Sequence, residues 1–216
     1  MWEYLTDSYN WSGPEGIWSR ILEHLWYTFA ALGLSTAIGL PIGLRIGHTR
    51  RGAFLAINAG NAARALPSLG LLMLAVLLTD QIGFLPVLIA LVALGIPPIL
   101  ASTYAGISGV DPATIDAARG MGMTGQEILT KVEIPIAMPL IISGIRSATL
   151  QIVSTATIAA LVSLGGLGRY VIDGLKLRDF PQMFTGALLV ALLALLLDAL
   201  FALIGRVTVS PGLKIG

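Results

Sequence analysis

The stretch 81-QIGFLPVLIALVALGIPPILASTYAGISGV-110 contains no Asp, Glu, Lys or Arg. A helix needs about 20 mostly apolar residues to cross the hydrocarbon core of a bilayer. Because lipid offers no hydrogen-bond partners, such a run must pair its backbone groups internally, as a helix does. Pro86, Pro97 and Pro98 interrupt the run and predict kinks. The stretch therefore predicts a transmembrane helix at residues 83–106.

Further apolar runs lie on both sides of this helix, and they predict spans at residues 22–44, 52–79, 134–162 and 183–206. Arg64, Arg146 and Asp198 lie well inside these runs, and Pro67 interrupts the run 52–79. Hydrophobic residues make up 56% of the 216 residues and charged residues 12%, whereas a soluble domain carries about 25% charged residues. We therefore predict an all-α membrane protein with five transmembrane helices. The net charge of +1 argues against binding to nucleic acid.

The distribution of basic residues predicts the orientation of the chain. Residues 1–21 lack the apolar core of a signal peptide and are expected to form an extracytoplasmic segment. With that segment outside, seven basic residues lie inside: Arg45, Arg50, Arg51, Arg119, Lys131, Arg206 and Lys214. Four lie outside: Arg20, Arg169, Lys176 and Arg178. This bias follows the positive-inside rule. We expect a transmembrane domain at 22–206 and a cytoplasmic tail at 207–216.

Residues 107–133 form the most polar internal stretch and are predicted to lie on the cytoplasmic side. Asp111 followed by Pro112 is typical of a helix start, and we expect a short helix at 112–120. Glycines then break the chain, and a second short helix is expected at 126–133, before Pro135 begins the next span. The two short helices would form a compact protrusion from the membrane.

A nucleotide site in this stretch is not expected. The letters GMGMTG at residues 120–125 match the dinucleotide-binding fingerprint, but that fingerprint requires a preceding strand, and the preceding segment is predicted to be helical. The chain contains no Gly-Lys pair and therefore no P-loop.

The polar stretch carries a spaced motif. Asp116-Ala117-Ala118 is followed by three residues, Gly122, nine residues and then Val132-Glu133-Ile134-Pro135. This pattern resembles the E-A-A, three residues, G, nine residues, I-x-L-P motif of the inner-membrane permeases of binding-protein-dependent ABC importers. Asp for Glu, Val for Ile and Ile for Leu are conservative departures from it. The stretches at 65–69, 120–123, 144–148 and 164–168 also resemble the glycine betaine/carnitine/choline permease branch, and the methionine branch shares the five-span plan.

The resemblance implies a type I ABC importer permease in the bacterial or archaeal inner membrane. Such a permease works with two ATP-binding cassette ATPases, a second permease of the same or a similar chain, and an extracytoplasmic solute-binding protein. It is not an enzyme and holds no cofactor, because ATP and Mg are bound by the ATPases. Its cytoplasmic loop would couple to the ATPase through Asp116, Ala117, Ala118, Arg119, Gly120, Gly122, Gln126, Glu127, Lys131 and Pro135. A solvated loop without a partner is the alternative interpretation.

Two polar stripes are candidates for the lining of a translocation pathway, because polar groups in a bilayer usually face a bundle interior or a cavity. One comprises Asn58, Asn61, Arg64 and Ser68, and the other Ser143, Arg146, Ser147, Gln151 and Ser154. Hydrogen bonding between helices, or snorkelling of Arg64, is an equally good explanation. Gly39, Gly43 and Gly47, spaced four apart, indicate close packing of the first span within the bundle rather than a dimer seam.

Other classes of function remain as alternatives. The solute is expected to be a small osmolyte or quaternary amine, with another amino-acid-like solute such as methionine as the runner-up. An autonomous secondary transporter would need an intramembrane acid–base relay and often shows an internal repeat. An intramembrane enzyme would need a set of catalytic side chains within the spans, and Asp198 is the one acid well inside them.

Overall fold

The computed structural model describes residues 2–54, 56, 58, 61, 65 and 67–208. Regular secondary structure among these residues is helical, and none of them lies in a strand. The main helices, numbered in chain order, are α1 Trp2–Thr6, α2 Ile17–Thr49, α3 Ser68–Thr79, α4 Phe84–Ser108, α5 Pro112–Gly120, α6 Gly125–Ile128, α7 Ile134–Ala156, α8 Gly168–Leu177 and α9 Phe180–Thr208. Short 3-10 helices occupy Ser8–Trp11 and Thr157–Val162, and a π-helical turn occupies Leu129–Glu133.

Among the described residues, four helices are long and apolar enough to cross a membrane: Ile17–Thr49, Phe84–Ser108, Gly125–Val162 and Phe180–Thr208. They contain the predicted spans 22–44, 134–162 and 183–206, and all of 83–106 except Gly83. The predicted span 52–79 includes positions outside the described residues. Its second half is α3, which has 12 residues and begins directly after Pro67, whose backbone is extended. A helix of that length is about 18 Å long, so the crossing of 52–79 stays a prediction.

The second short helix differs from its prediction, because it does not end before Pro135. Helix α6 continues through the π-helical turn into α7, and the helical segment Gly125–Val162 runs without a break for 38 residues. A proline ring clashes with the carbonyl four residues earlier in an α-helix, here that of Lys131. The π-helical turn includes Lys131, and its wider spacing of hydrogen bonds accommodates the proline.

The chain divides into two compact units. The first comprises Met1–Leu34, Leu66–Gly95 and Thr149–Asp198, and the second comprises Ser35–Ala65, Ile96–Ala148 and Ala199–Gly216.

In the first unit, the N-terminal segment is folded onto α8. The indole Nε1 of Trp11 donates to the carbonyl of Leu5 at 2.7 Å, which closes the segment on itself. The rings of Tyr4 and Tyr170 meet edge to face with centroids 6.0 Å apart, and the hydroxyl of Tyr170 donates to the carbonyl of Glu15 at 2.9 Å. Burial raises the pKa of Tyr170 to about 12. Residues 4–21 of the predicted extracytoplasmic segment are therefore packed within this unit.

In the second unit, close packing of α2 against α4 follows the glycine stripe. A Cβ at Gly43 would lie 2.7 Å from the Cβ of Thr103, and one at Gly47 would lie 2.7 Å from the Cβ of Ile107. A Cβ at Gly39 would lie 3.1 Å from the carbonyl oxygen of Ile96. The prediction that these glycines pack within the bundle is confirmed. Small residues matter here because lipid supplies no hydrophobic force between helices, so that close van der Waals contact must hold them together.

A pair of substitutions within α2 tests this packing. Gly43→Ala is expected to lower the free energy of unfolding by about 1–3 kcal/mol, because its methyl group overlaps Thr103. Gly33→Ala is the matched control, since nothing lies within 4 Å of a Cβ at that position, and it should be neutral or stabilising by about 0.5–1 kcal/mol. Thermal unfolding of the purified protein in detergent measures both. Equal midpoints for the two variants would contradict the proposed packing.

Candidate functional site

The polar stretch between α4 and α7, here named loop 109–133, folds around an apolar core of its own. The buried side chains of this core are Val110, Ile115, Ala118 and Ile128, with Met123 and Val132 packed against them. Ile115 and Ala118 come from α5 and Ile128 from α6, so the two short helices hold each other in place. The loop therefore has the packing of a small rigid body.

Helix α5 has both of its ends fixed by local hydrogen bonds. Oδ1 of Asp111 accepts from the backbone N–H of Ala113 at 2.9 Å, and Pro112 occupies the first turn. At the other end, the N–H of Gly122 donates to the carbonyl of Arg119 at 2.9 Å. Gly122 has a φ of +84°, a conformation that favours glycine. The predicted helix at 112–120 is confirmed.

Helix α6 begins with a capping box. The hydroxyl of Thr124 accepts from the N–H of Glu127 at 3.3 Å, and the Glu127 carboxylate accepts from the N–H of Thr124 at 3.0 Å. Lys131 Nζ lies 2.8 Å from Oε1 of the same carboxylate. The hydrogen bonds from Lys131 and Thr124 lower the pKa of Glu127 to about 2. The start of α6 therefore carries a fixed negative charge, which suits the positive end of a helix dipole.

The outward side of α5 carries small side chains. Ile115 and Ala118 face the loop core; on a helix of 3.6 residues per turn the opposite side is formed by Ala113, Ala117 and Gly120, all of which are exposed. Met121 follows at the end of this ridge with 74% of its surface exposed. The expectation that Ala118 offers surface to a partner is corrected, since Ala118 is 2% exposed and packs inside the loop.

The other predicted coupling residues lie on the surface of the loop or at its end. Arg119 and Asp116 are exposed and 3.5 Å apart. Glu127 is half-buried, and the remaining ones are exposed: Gly120, Gly122, Gln126, Lys131 and Pro135. Most of the predicted coupling residues therefore lie on the accessible surface of loop 109–133.

Sequence reasoning missed three residues that hold the loop, namely His48, Arg50 and Glu133. Glu133 is buried, and its carboxyl group lies 2.5 Å from the imidazole of His48. The guanidinium of Arg50 donates to the backbone carbonyls of Ser108 and Val110. Long sequence separation hid these contacts, because no local pattern links residues 48–50 to the loop. A carboxylate just before an apolar span was the available signal.

The stripe predicted on the fourth span follows one side of α7. Ser143, Ser147 and Ser154 are exposed, and Arg146 and Gln151 are partly buried. The hydroxyl of Ser154 donates to the carbonyl of Leu150 at 2.9 Å. Beside this stripe, a Cβ at Gly144 would lie 2.6 Å from the Cβ of Ser102 in α4, so α7 packs closely against α4 at that position.

The stripe predicted on the second span is described in part. Asn58 and Asn61 are exposed, and the amide of Asn58 donates to the carbonyl of Phe54 at 2.7 Å. Ser68 is partly buried and starts α3. Arg64 lies outside the described residues.

The first unit contains a cavity of about 520 Å³. Tyrosines and paired charges line it, among them Tyr4, Tyr9, Tyr170, Glu15, Arg20, Arg169 and Asp173. Arg20 pairs with Glu15 at 3.3 Å and Arg169 with Asp173 at 3.0 Å, so the charges compensate one another. Within the described residues, no group of three or more His, Cys, Asp or Glu side chains could hold a metal ion.

Long apolar helices with a compact polar loop between two of them define a helical membrane protein. Residues 24–208 match the binding-protein-dependent transport system inner membrane component family, and the chain belongs to that family. The predicted resemblance is confirmed.

Three similar proteins illustrate the match. The chain is 35% identical over 192 residues to the glycine betaine/carnitine/choline transport system permease protein OpuCB of Bacillus subtilis, covering 89% of this chain and 88% of that protein. It is 37% identical over 186 residues to the osmoprotectant import permease protein OsmY of Salmonella typhimurium, covering 85% and 78%. A chain of the MetNI methionine ABC transporter in inward-facing conformations superposes with a TM-score of 0.77 and 24% identity, covering 92% of this chain and 100% of that chain. This last likeness shows the fold, and the predicted permease fold is confirmed.

The charge at the start of α6 gives a testable pH dependence. A depressed pKa means that the stabilisation by Glu127 is fully present above its usual pKa of 4.5 and is lost as the pH falls toward 2. The carboxyl of Glu127, followed by carbon-13 NMR in nanodiscs, should remain ionised at pH 4. Lys131→Met should raise this pKa, since Lys131 provides the largest lowering effect. Lys176→Met, at an exposed site in α8, is the control and should leave it unchanged. A titration of Glu127 near 4.5 in the unmodified protein would refute the capping geometry.

Proposed function

We propose that this chain is one of two permease subunits in an ATP-driven importer. Two ATP-binding cassette ATPases, which hold ATP and Mg, would dock against loop 109–133 of each permease, and a solute-binding protein would deliver solute on the opposite side. Membership of a binding-protein-dependent transport family supports the partnership with a binding protein. The absence of a Gly-Lys pair, and hence of a P-loop, supports an ATPase on another subunit.

The observation that carries the coupling role is the rigid loop with an exposed ridge of small residues. A partner surface could approach the α5 backbone closely along the small side chains of Ala113, Ala117 and Gly120. The exposed side chain of Met121 would fill an apolar depression on the ATPase. Arg119, Asp116 and Lys131 would make polar contacts at the rim. Because the loop has its own core, movement of the ATPases would displace it as one body.

The same proposal fixes the orientation, with the N-terminus outside and the C-terminus inside. Arg45 lies in the last turns of α2, and Arg50 and Arg51 follow its end. Arg50 contacts the beginning of loop 109–133. The positive-inside rule puts this cluster in the cytoplasm, together with the loop. Residues 52–79 would then cross the membrane as the second of five spans.

The solute is proposed to be a small quaternary ammonium osmolyte. The relatives described above are named as permeases for glycine betaine, carnitine, choline or osmoprotectants, at 35% and 37% identity. Methionine is the second candidate, but the methionine transporter supports the fold rather than the solute.

Solute would cross along the polar side of α7, which presents Ser143, Ser147 and Ser154. Asn58, Asn61, Arg64 and Ser68 would add polar groups from the second span, and Arg146 and Gln151 from the fourth. Hydroxyl and amide groups bind solute weakly, which suits a passage that leaves recognition to the binding protein. ATP binding would close the ATPases, move the loops together and open the passage to the outside.

Uptake by proteoliposomes tests this proposal. The chain is co-expressed with a candidate ATP-binding cassette ATPase, and uptake of glycine betaine is compared with uptake of methionine. We expect uptake of glycine betaine that requires ATP on the ATPase side and a loaded binding protein. Met121→Asp should reduce co-purification of the ATPase and uptake by about tenfold or more, because an unpaired carboxylate is costly to desolvate in an interface.

Leu177→Asp is the matched control, since Leu177 is an apolar side chain with the same 74% exposure. It lies in α8, on the side proposed to be external, and should leave co-purification of the ATPase intact. Uptake without any ATPase would instead identify an autonomous transporter. Normal assembly of Met121→Asp would refute docking at the α5 ridge.

A further inference from the structure

A hydrogen bond between a buried carboxyl group and an imidazole joins loop 109–133 to the end of α2. Glu133 has 1% of its surface exposed, and its Oε2 lies 2.5 Å from Nδ1 of His48. Oε2 of Glu133 and Nδ1 of His48 share a hydrogen bond. A carboxylate buried at this depth is costly unless it is paired and hydrogen-bonded. The contact therefore fixes the end of the loop to a particular side chain of α2.

The second nitrogen of the same imidazole faces the beginning of α6. A Cβ at Gly125 would lie 3.5 Å from Nε2 of His48, which is ordinary van der Waals contact. His48 therefore lies beside the first residue of α6 and is hydrogen-bonded to the last residue of the π-helical turn.

The beginning of the loop is held by Arg50, two residues after His48. The guanidinium of Arg50 donates to the carbonyls of Ser108 and Val110, where α4 ends and the loop begins. Gly47 packs against Ile107 one turn before that point. Both ends of loop 109–133 are therefore fastened to the last residues of α2.

The π-helical turn gives this fastening a mechanical role. Turns of this kind interrupt the regular hydrogen bonding of a helix and are frequent at functional sites. The turn Leu129–Glu133 lies between α6 and α7, so a displaced loop could bend there. The pair between His48 and Glu133 lies at the α7 end of this turn and ties it to α2.

We propose that His48 is a positioning residue that couples loop 109–133 to α2 through its hydrogen bond to Glu133. Displacement of the loop by the ATPase is then delivered to α2 as well as to α7. This inference rests on the proposed function. Without His48, the loop would still bind the ATPase, and its movement would be lost in bending at the π-helical turn.

The first test measures the fastening without any ATPase. Amide hydrogen exchange is recorded on the full chain in nanodiscs, with the amides of Gly168–Leu177 as the internal reference. His48→Leu should increase exchange in residues 125–133 by about ten- to one-hundredfold, as expected when a buried polar group loses its hydrogen-bond partner. His48→Asn places an N–H donor near the position of Nδ1 and should stay close to wild type. His48→Gln extends its donor toward the position of Nε2 and should behave like His48→Leu.

The second test measures coupling in the reconstituted importer, as glycine betaine transported per ATP hydrolysed. His48→Leu should lower this ratio by about five- to 150-fold while ATPase co-purification persists, and His48→Asn should restore it. A role in stability alone would lower the amount of protein and leave the ratio unchanged. If His48→Leu does not reach the membrane, Glu133→Gln, which keeps an acceptor, is compared with Glu133→Met, which removes it.

The outcomes separate the two proposals. Absence of ATP-dependent uptake by wild type would refute the proposed function, and the exchange experiment would still decide the fastening. Wild-type exchange and wild-type coupling in His48→Leu would overturn the role of His48. Equal losses in His48→Asn and His48→Leu would also overturn it, because ring packing rather than the hydrogen bond would then be responsible.

Discussion

Close approach of helix backbones holds this protein together, because lipid tails give helices no hydrophobic reason to associate. In the second unit, glycines allow that approach between two pairs of helices, for example at Gly43 against Thr103 and at Gly144 against Ser102. Both contacts involve α4, which therefore packs against α2 and α7. In the first unit, Gly186 allows the same approach to Tyr170. These contacts orient α2 and α7 against α4 and so determine which of their side chains remain exposed.

Much of the fold follows from the sequence. Four predicted spans lie inside long helices, because an uncharged run in lipid has few alternatives to a helix. The start of α5 at Asp111 and Pro112 was equally predictable, because capping is local chemistry. The continuity of α6 with α7 was not, since a proline at 135 usually marks a boundary and the π-helical turn that accommodates it has no sequence signature. The burial of Ala118 depends on how α5 packs against α6, which the motif spacing does not reveal.

The loop combines two properties that a coupling element needs. Its core and its capped helices make it rigid, and its outward ridge of small side chains leaves it accessible. The spacing of the family motif indicated which residues matter but not how they divide between these tasks. Ala118 and Val132 serve the core, whereas Ala117 and Gly120 face outward. His48, Arg50 and Glu133 add a third property, attachment to α2, through contacts between residues far apart in the chain.

The central claim is that the outward side of α5 contacts an ATPase, and single-cysteine cross-linking tests it most directly. The chain contains no cysteine, so a photoreactive probe can be attached at one chosen position. Ala117→Cys lies on the exposed ridge, and Leu177→Cys lies on α8. The account predicts that the probe at position 117 forms a cross-link to the ATPase subunit and that the probe at 177 does not. Cross-linking from 177, or a failure to cross-link from 117 in an importer that transports normally, would contradict it.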